Sequence, residues 1–571
     1  MELKAGYVIE EETWKKTNQA GKNYWWTYLA EILDRLGLTG EAVHLNDLFS
    51  RLKEFSLLFL GPTEQELPSQ EISSWVKKGG VLIGCCLQGL DGLFGNRFVK
   101  WLPEKEEFAL RRFFLTPHFF TRGLVFPPAR GKPLLAAGAL RLVSPERSQL
   151  LALYHNQAVI TSGRYGLGRT FYFGFDLAKT FWVIQQGRPV DRDYDGDGYL
   201  RTGDGIVIGQ NDYQVPYTDI LLFLLQNILR VLPFPLIHQL PPGDDGEVPD
   251  ALFFFGGDDE ATPGIARIAS EFMRSLRLPY HINLMPDRNF KFALDRKEGQ
   301  RLEKKGTEIS LHYNFIDNFS HPVGFTENDV RKQTELFIRT FGKKPVCVNS
   351  HYLRWTGWYE PAFWMEKLAL KGFNGKIHRR FPPLNPVNEI GFSFGTSFPF
   401  FYRADHKLRN KRIEFLDLPI TAYEIGYLRE QTDFPKLGKL VRLSSHYGLM
   451  MNVFYHPVYL AKSPACQAAV KELLRIIEKR KLNVLYSTPD RVVRWWLARS
   501  ASRIEKIRLK DNRLSFTVSS PESNLLVKIP AGKKVEKASQ PLKFKVFSSH
   551  RWAFLTVPRG CHQIKVEFAD S

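Results

Sequence analysis

The run ALFFFGGDDE (251–260) drives five apolar residues and two glycines into Asp258, Asp259 and Glu260. Adjacent carboxylates at a strand end repel one another, and water or a cation must relieve that repulsion. Three histidines follow apolar runs in the same way: His312 after TEISL, His351 after VCVNS and His456 after MMNVFY. Carboxylates and imidazoles gathered at strand ends can do hydrolytic chemistry. Neutral imidazoles and a carboxylate hold a metal with an open position for water, and two titratable groups in unlike environments serve as base and acid. One strand-end histidine is ordinary, but three facing an acid pair make a candidate site. Glu260 is expected to face solvent or cap the next helix. Asp417, in FLDLP, either orients His456 or is a structural carboxylate.

A second constellation lies in DRDYDGDGYLRTGDG (191–205). Counting from Asp193, the oxygen-ligand positions 1, 3, 5, 7 and 12 of a calcium loop fall on Asp193, Asp195, Asp197, Tyr199 and Asp204, with Gly198 at the turn. The shorter Asp in place of the usual final Glu weakens such a site, and the flanks carry no clear helical pattern. The expectation is a structural Ca²⁺ clip; the alternative is a solvated acidic loop.

Three textures must position these groups. Residues 1–235 alternate strand and helix signals: FSLLFLG (55–61), a helix running to KKGG, VLIGCC (81–86) and GLGRTFYFGFDL (166–177). That is the rhythm of an open α/β sheet. PPGDDGEVPD (241–250) reads as a linker. Over 250–500, strand candidates ALFFF, YHINL, TEISL, PVCV, IEFLDLP, LMMNVF and NVLYS interleave with helices, among them TENDVRKQTELFIRTF with Thr326 as its N-cap. This predicts a distorted (β/α) barrel with its chemistry at the C-terminal strand ends. Residues 501–571 carry short alternating runs split by turns, the pattern of a small β-sandwich.

Composition bounds the partners. The 571 residues allow about three domains. A hydrophobic share of 44% with 44 Phe and 12 Trp excludes a mostly disordered chain. The net charge of +19 favours an anionic partner such as a cell-wall polymer, or else is a scattered basic surface. The tail from 501 holds 14 Lys and Arg against six Asp and Glu, without a nucleic-acid-binding motif, so no nucleic acid is expected. Five cysteines without CxxC spacing give neither a disulfide framework nor a thiolate zinc site. The start MELKAGYVIEEE shows no signal-peptide pattern and no run of 18 apolar residues occurs. The expected location is the cytoplasm, with cell-envelope association as the alternative. Oligomeric state is left open.

The 250–500 segment resembles the polysaccharide deacetylase superfamily, the NodB-homology or carbohydrate esterase family four group. GGDD stands where that family has T-F-D-D, GTEISLH matches the start of its second motif, VFYHP its last, and STPDRVVRWWLAR its final strand and helix. The resemblance implies Asp258 as general base, Asp259 and His312 as ligands of a divalent metal, zinc first, and His456 as general acid. Ile316 stands where the family has its second metal histidine; His351 from the neighbouring strand, or His321 from a loop, would replace it. Arg354 lies in the third-motif region, where an Arg pairs with the base and lowers its pKa; otherwise it is a surface arginine. Tyr352, Trp355 and Trp358 form a sugar platform or pack in the core. The implied activity removes acetyl from an N-acetylated sugar or polysaccharide. The alternatives are a decayed carbohydrate- or envelope-binding protein, and a metal-free amide hydrolase. The first 235 residues resemble class I glutamine amidotransferase-like domains, with an open flavodoxin-like sheet. GCCLQG offers Cys85 or Cys86 without the glycine-flanked elbow or a later His-x-Glu, so that domain is expected to be catalytically silent.

Overall fold

The apolar runs that are too short for helices become the strands of a mixed α/β protein. The computed structural model describes residues 1–569 apart from 64, 66, 125–132, 210–211, 378–389, 428–433 and 531–534.

In the N-terminal part, five strands lie parallel in the order 40–44, 5–9, 57–60, 81–85 and 168–173. Antiparallel strands extend the sheet beyond Gly168–Phe173, starting with Gln157–Tyr165. Helices such as Ser69–Lys77, which buries Ile72, Trp75 and Val76, cover the sheet. The near-continuous apolar character of Leu57–Leu60 and Val81–Cys85 follows from burial on both faces.

The central sheet is the one that positions the strand-end residues. Its order runs Phe400–Arg403, Arg412–Asp417, Gly372–Phe373, Cys347–Ser350, Thr307–Tyr313, Tyr280–Leu284, Ala251–Asp259, Met450–Phe454 and Ala422–Tyr423. Val484–Ser487 joins beside the start of Ala251–Asp259. Every pairing is parallel except that of Phe400–Arg403 with Arg412–Asp417. The sheet curls into a half-barrel, and Asn452 Nδ2, in Met450–Phe454 on one side of the sheet, donates at 3.3 Å to the Leu418 carbonyl, just after Arg412–Asp417 on the other. The helices Ile265–Ser275, Arg296–Lys304, Glu327–Phe341 and Pro464–Lys479 alternate with the strands. Thr326 does cap its helix, in a reciprocal capping box with Asp329.

The C-terminal strands form two sheets. One orders Glu2–Leu3, Arg503–Lys510, Arg513–Ser520, Gly560–Phe568 and Val535–Ala538; the other orders Leu236–Ile237, Leu525–Pro530, His550–Val557 and Leu542–Phe547. Two of these strands come from far upstream in the chain, and they are too short to have a sequence pattern.

Candidate active site

Parallel strands deliver their last side chains to one edge. Gly256 pairs with Phe454, so Asp258 and His456 leave their strands at the same level. Asp258 pairs with Asn283, and His312 with Asn349, across the next strands. Gly257 is required here: a Cβ would lie 1.8 Å from the Tyr455 carbonyl oxygen.

Asp258 is buried, and both of its oxygens are occupied. Asn283 Nδ2 donates to Oδ1 at 2.8 Å and Asn349 Nδ2 to Oδ2 at 2.7 Å. Burial pushes this carboxyl up to about 7, opposed by His456 and the Asn283 amide. Asn283 is held in turn, since its Oδ1 lies 2.9 Å from Nε2 of the fully buried His281. His281 Nδ1 faces Glu308 at 3.5 Å and Asp490 at 3.6 Å. Asp259 is also buried, and desolvation together with Glu260 pushes it up to about 7.

The imidazoles differ among themselves. His456 Nδ1 faces Glu424 Oε1 in a short contact, and its backbone N–H donates to the same oxygen at 3.2 Å. Burial disfavours the charged ring, but Glu424, Asp258 and Glu260 prevail and push it up to about 9. His312 is buried with neither ring nitrogen hydrogen-bonded, and burial, then His351 and His456, hold it well below its ordinary value. Its Nδ1 lies 3.6 Å from Asp258 Oδ2. His351 Nε2 is 3.4 Å from Glu260 Oε1, while its Nδ1 is buried without a partner. Glu260 also lies 3.9 Å from His456 Nε2, and the His351 contact lowers its pKa. The site therefore juxtaposes a neutral imidazole, a cationic imidazole and carboxyls in unlike environments.

Several residues sit elsewhere than the sequence led us to expect. Glu260 does not cap the next helix, whose N-cap is Gly264; it is exposed, as expected, and its carboxylate also lies 3.4 Å from His351 and 3.9 Å from His456. Asp417 does not orient His456: it accepts from Tyr402 Oη at 2.5 Å beside Lys376, and Glu424 has the orienting position. Arg354 does not pair with Asp258. Its guanidinium donates to the carbonyls of His321 at 2.7 Å and Val323 at 2.5 Å, pinning that loop. His321 is held there, with Nε2 3.1 Å from the Ile316 carbonyl. Trp355 is buried against Phe373 and Tyr402, so it is core and not a sugar platform; Trp358 stacks on Trp182. Tyr352 remains exposed at the mouth, at φ 56°, with its ring stacked on Tyr199.

The orphaned nitrogens of His312 and the orphaned Nδ1 of His351 have the chemistry of metal donors, and their rings are 5.5 Å apart. The full donor set does not fit a preassembled ion, however. Among the described residues, the acid and histidine groups whose ligand atoms lie within 4.8 Å of one another are His281–Glu308–Asp490 and Asp193–Asp195–Asp197, not Asp259–His312–His351. Ile316, in the loop after the His312 strand, offers no donor, and His351 Nε2 faces Glu260.

In the acidic loop, Asp193, Asp195 and Asp197 converge, whereas Asp204 does not join them. Asp204 accepts from the N–H groups of Tyr194, Asp195 and Arg201 and so pins the loop internally. Tyr199 stacks on His321 at 4.6 Å, which brings this loop to the barrel mouth. Among the described residues no helix is long and apolar enough to cross a membrane. Cys86 has the left-handed φ of an elbow, 53°, but it is buried, and Asp176 and Arg141 face it. Burial pushes both Cys85 and Cys86 upward, away from the thiolate.

Fold and site together define a mixed α/β protein with a curled half-barrel that carries a carboxylate–imidazole cluster at its strand ends. Compared with family models and with the curated proteins, the sequence matches none. Solved structures with partial similarity include a β-galactosidase from Bacillus circulans sp. alkalophilus (12% identity, TM-score 0.25, 31% of this chain and 30% of that one). A putative polysaccharide deacetylase from Mycobacterium smegmatis aligns at 11% identity and TM-score 0.33, over 48% of this chain and 100% of its own. Puue allantoinase aligns at 12% identity and TM-score 0.30, over 44% and 91%. The chain thus spans under a third of the length of that β-galactosidase.

Proposed function

We propose that the half-barrel is a hydrolase that cleaves an acyl–nitrogen bond on a carbohydrate, releasing a carboxylic acid such as acetate and an amino sugar. One observation carries this reading. A buried carboxylate gripped by two amides and an imidazole backed by a carboxylate stand at the ends of adjacent parallel strands. Environments that separate two titratable groups in this way supply a base and an acid at neutral pH.

Asp258, ionised, takes a proton from water as the water oxygen bonds to the acyl carbon. His456, cationic, gives its Nε2 proton to the nitrogen as the C–N bond breaks. Passing the proton from Asp258 to His456 through solvent restores the starting state. Neutral His312 beside Asp258 can accept or donate a hydrogen bond to the water or the carbonyl. The exposed Tyr352, held from behind by Tyr199, offers an aromatic ring to a sugar at the mouth. Because the metal donors do not converge, each of these steps uses only the chain's own groups.

Acetate release from a panel of N-acetylated oligosaccharides, with and without chelator, tests the proposal. Turnover should survive chelation and fall at least about 100-fold in Asp258→Asn and in His456→Gln. Turnover abolished by chelator and restored by zinc would replace this mechanism with a metal-dependent one. Binding of oligosaccharide without release of any acid would mean a carbohydrate-binding protein instead.

A further inference from the structure

We infer that Asp193, Asp195 and Asp197 form a Ca²⁺ site that braces one wall of the half-barrel's mouth. Three carboxylates alone would be a solvated acidic loop. Asp195 points to a ligand: it is 6% exposed, its Oδ1 has no hydrogen-bond partner, and one carboxylate oxygen from each of Asp193, Asp195 and Asp197 lies within 4.8 Å of the others. A buried carboxylate crowded by two others needs a proton or a shared cation to relieve the repulsion, and three converging carboxylates suit a cation. Arg201 does not meet this need. Its Nε lies 3.0 Å from Asp197 Oδ2 and offsets one charge of three, leaving two, the charge of one calcium ion. The donors are all hard oxygens, which select Ca²⁺ over transition metals. Gly196 and Gly198, both at positive φ with open space around them, leave the rim uncovered for an ion to enter.

What the ion would hold is the segment that follows. Tyr199 stacks on His321 and Tyr352. Trp355 N–H donates to the Leu200 carbonyl at 3.1 Å, and Arg201 bridges to Arg354. The loop is thereby tied to the turn after His351. The cation site stands apart from the proposed hydrolysis; only its relevance to the mouth rests on that reading.

Tb³⁺ substitutes for Ca²⁺ and emits when a nearby tyrosine is excited, and Tyr194 lies among the three acids with Tyr199 just after them. Titrating the full chain with Tb³⁺ should give saturable emission that Ca²⁺ displaces. Half-saturation by Ca²⁺ should fall at about 10⁻⁴–10⁻³ M, weak because Asp204 is spent inside the loop. Asp195→Asn, nearly isosteric, should weaken binding at least about tenfold, while Asp259→Asn leaves the signal intact. Absence of displaceable emission from the wild type overturns the site without recourse to any variant. A signal lost in Asp259→Asn but kept in Asp195→Asn assigns the ion to the barrel and also overturns it. Hydrogen exchange at the Trp355 amide should slow when Ca²⁺ is added; unchanged exchange with Ca²⁺ bound refutes the bracing. None of these readouts requires turnover, so failure of the hydrolase reading is seen separately.

Discussion

Two carboxylates compete for influence over the His456 proton: Glu424, in short contact with Nδ1, and Glu260, 3.9 Å from Nε2. Glu424 is buried and hydrogen-bonded to the His456 backbone as well, so its charge acts in a low-dielectric setting and dominates. The rate–pH profile follows from the two proposed catalytic groups. Asp258 must lose its proton, so the rate rises through about 7; His456 must keep its own, so the rate falls through about 9. Replacing Glu424 with Gln keeps the shape and removes the charge, and a raised imidazole pKa relaxes downward. The basic limb should then move down by about 1–2 pH units while the acidic limb holds near its place. Initial rates from pH 5 to 10 check both limbs. An acidic limb far below 7 would transfer the base role from Asp258 to Glu260, whose pKa is lowered. Glu424 has no apolar run before it in TAYEIG, and its φ of 45° is a strained backbone that no spacing announces. Asn283 and Asn349 were accessible by the rule that found the histidines, since both lie in the last two residues of apolar strands, but neutral amides do not announce chemistry.

The strands that form the site edge were legible because each is an apolar run of four or more residues bounded by turns. Those of two residues, Gly372–Phe373 and Ala422–Tyr423, were not, nor was Phe400–Arg403, whose pairing turns antiparallel at the end of the sheet. Helix starts carry more local information. Thr326 and Asp329 reciprocate side-chain and backbone hydrogen bonds, and Asp329 also complements the helix N-terminus. Thr326→Ala should therefore lower stability by about 1 kcal/mol in urea denaturation without altering the site, which lies on strands. The curl of the sheet was legible only as a fold class, because curvature brings together strands that are not neighbours in the sheet, as where Asn452 meets Leu418.

At the scale of the molecule, the N-terminal part and the half-barrel share a buried polar seam. Asp219, fully buried, accepts from Arg35, Thr396 Oγ1, Ser397 N–H and Ser397 Oγ. Asp219→Ala would leave Arg35 buried without its counter-charge, at about 3–5 kcal/mol, and calorimetry should show one transition moved to lower temperature instead of two separate ones. The C-terminal sandwich is bound into the same unit by its borrowed strands. Leu236 and Ile237, both buried, pair with Lys528 and Val527, and Leu3 pairs with Ile507. Lys528, itself buried, donates to Gln239 Oε1, and Arg499 donates to the carbonyls of Ile237 and His238. A fragment of 501–571 lacks all of these partners, so Leu525–Pro530 becomes a free apolar edge, the kind that pairs with other chains. Expressed alone, that fragment should aggregate or give poorly dispersed amide resonances. Tethering 234–241 to it through a flexible Gly/Ser linker should restore the missing edge strand and improve the dispersion. A well-dispersed spectrum from 501–571 by itself would show that the borrowed strands are attachments to the sandwich and not part of what folds it.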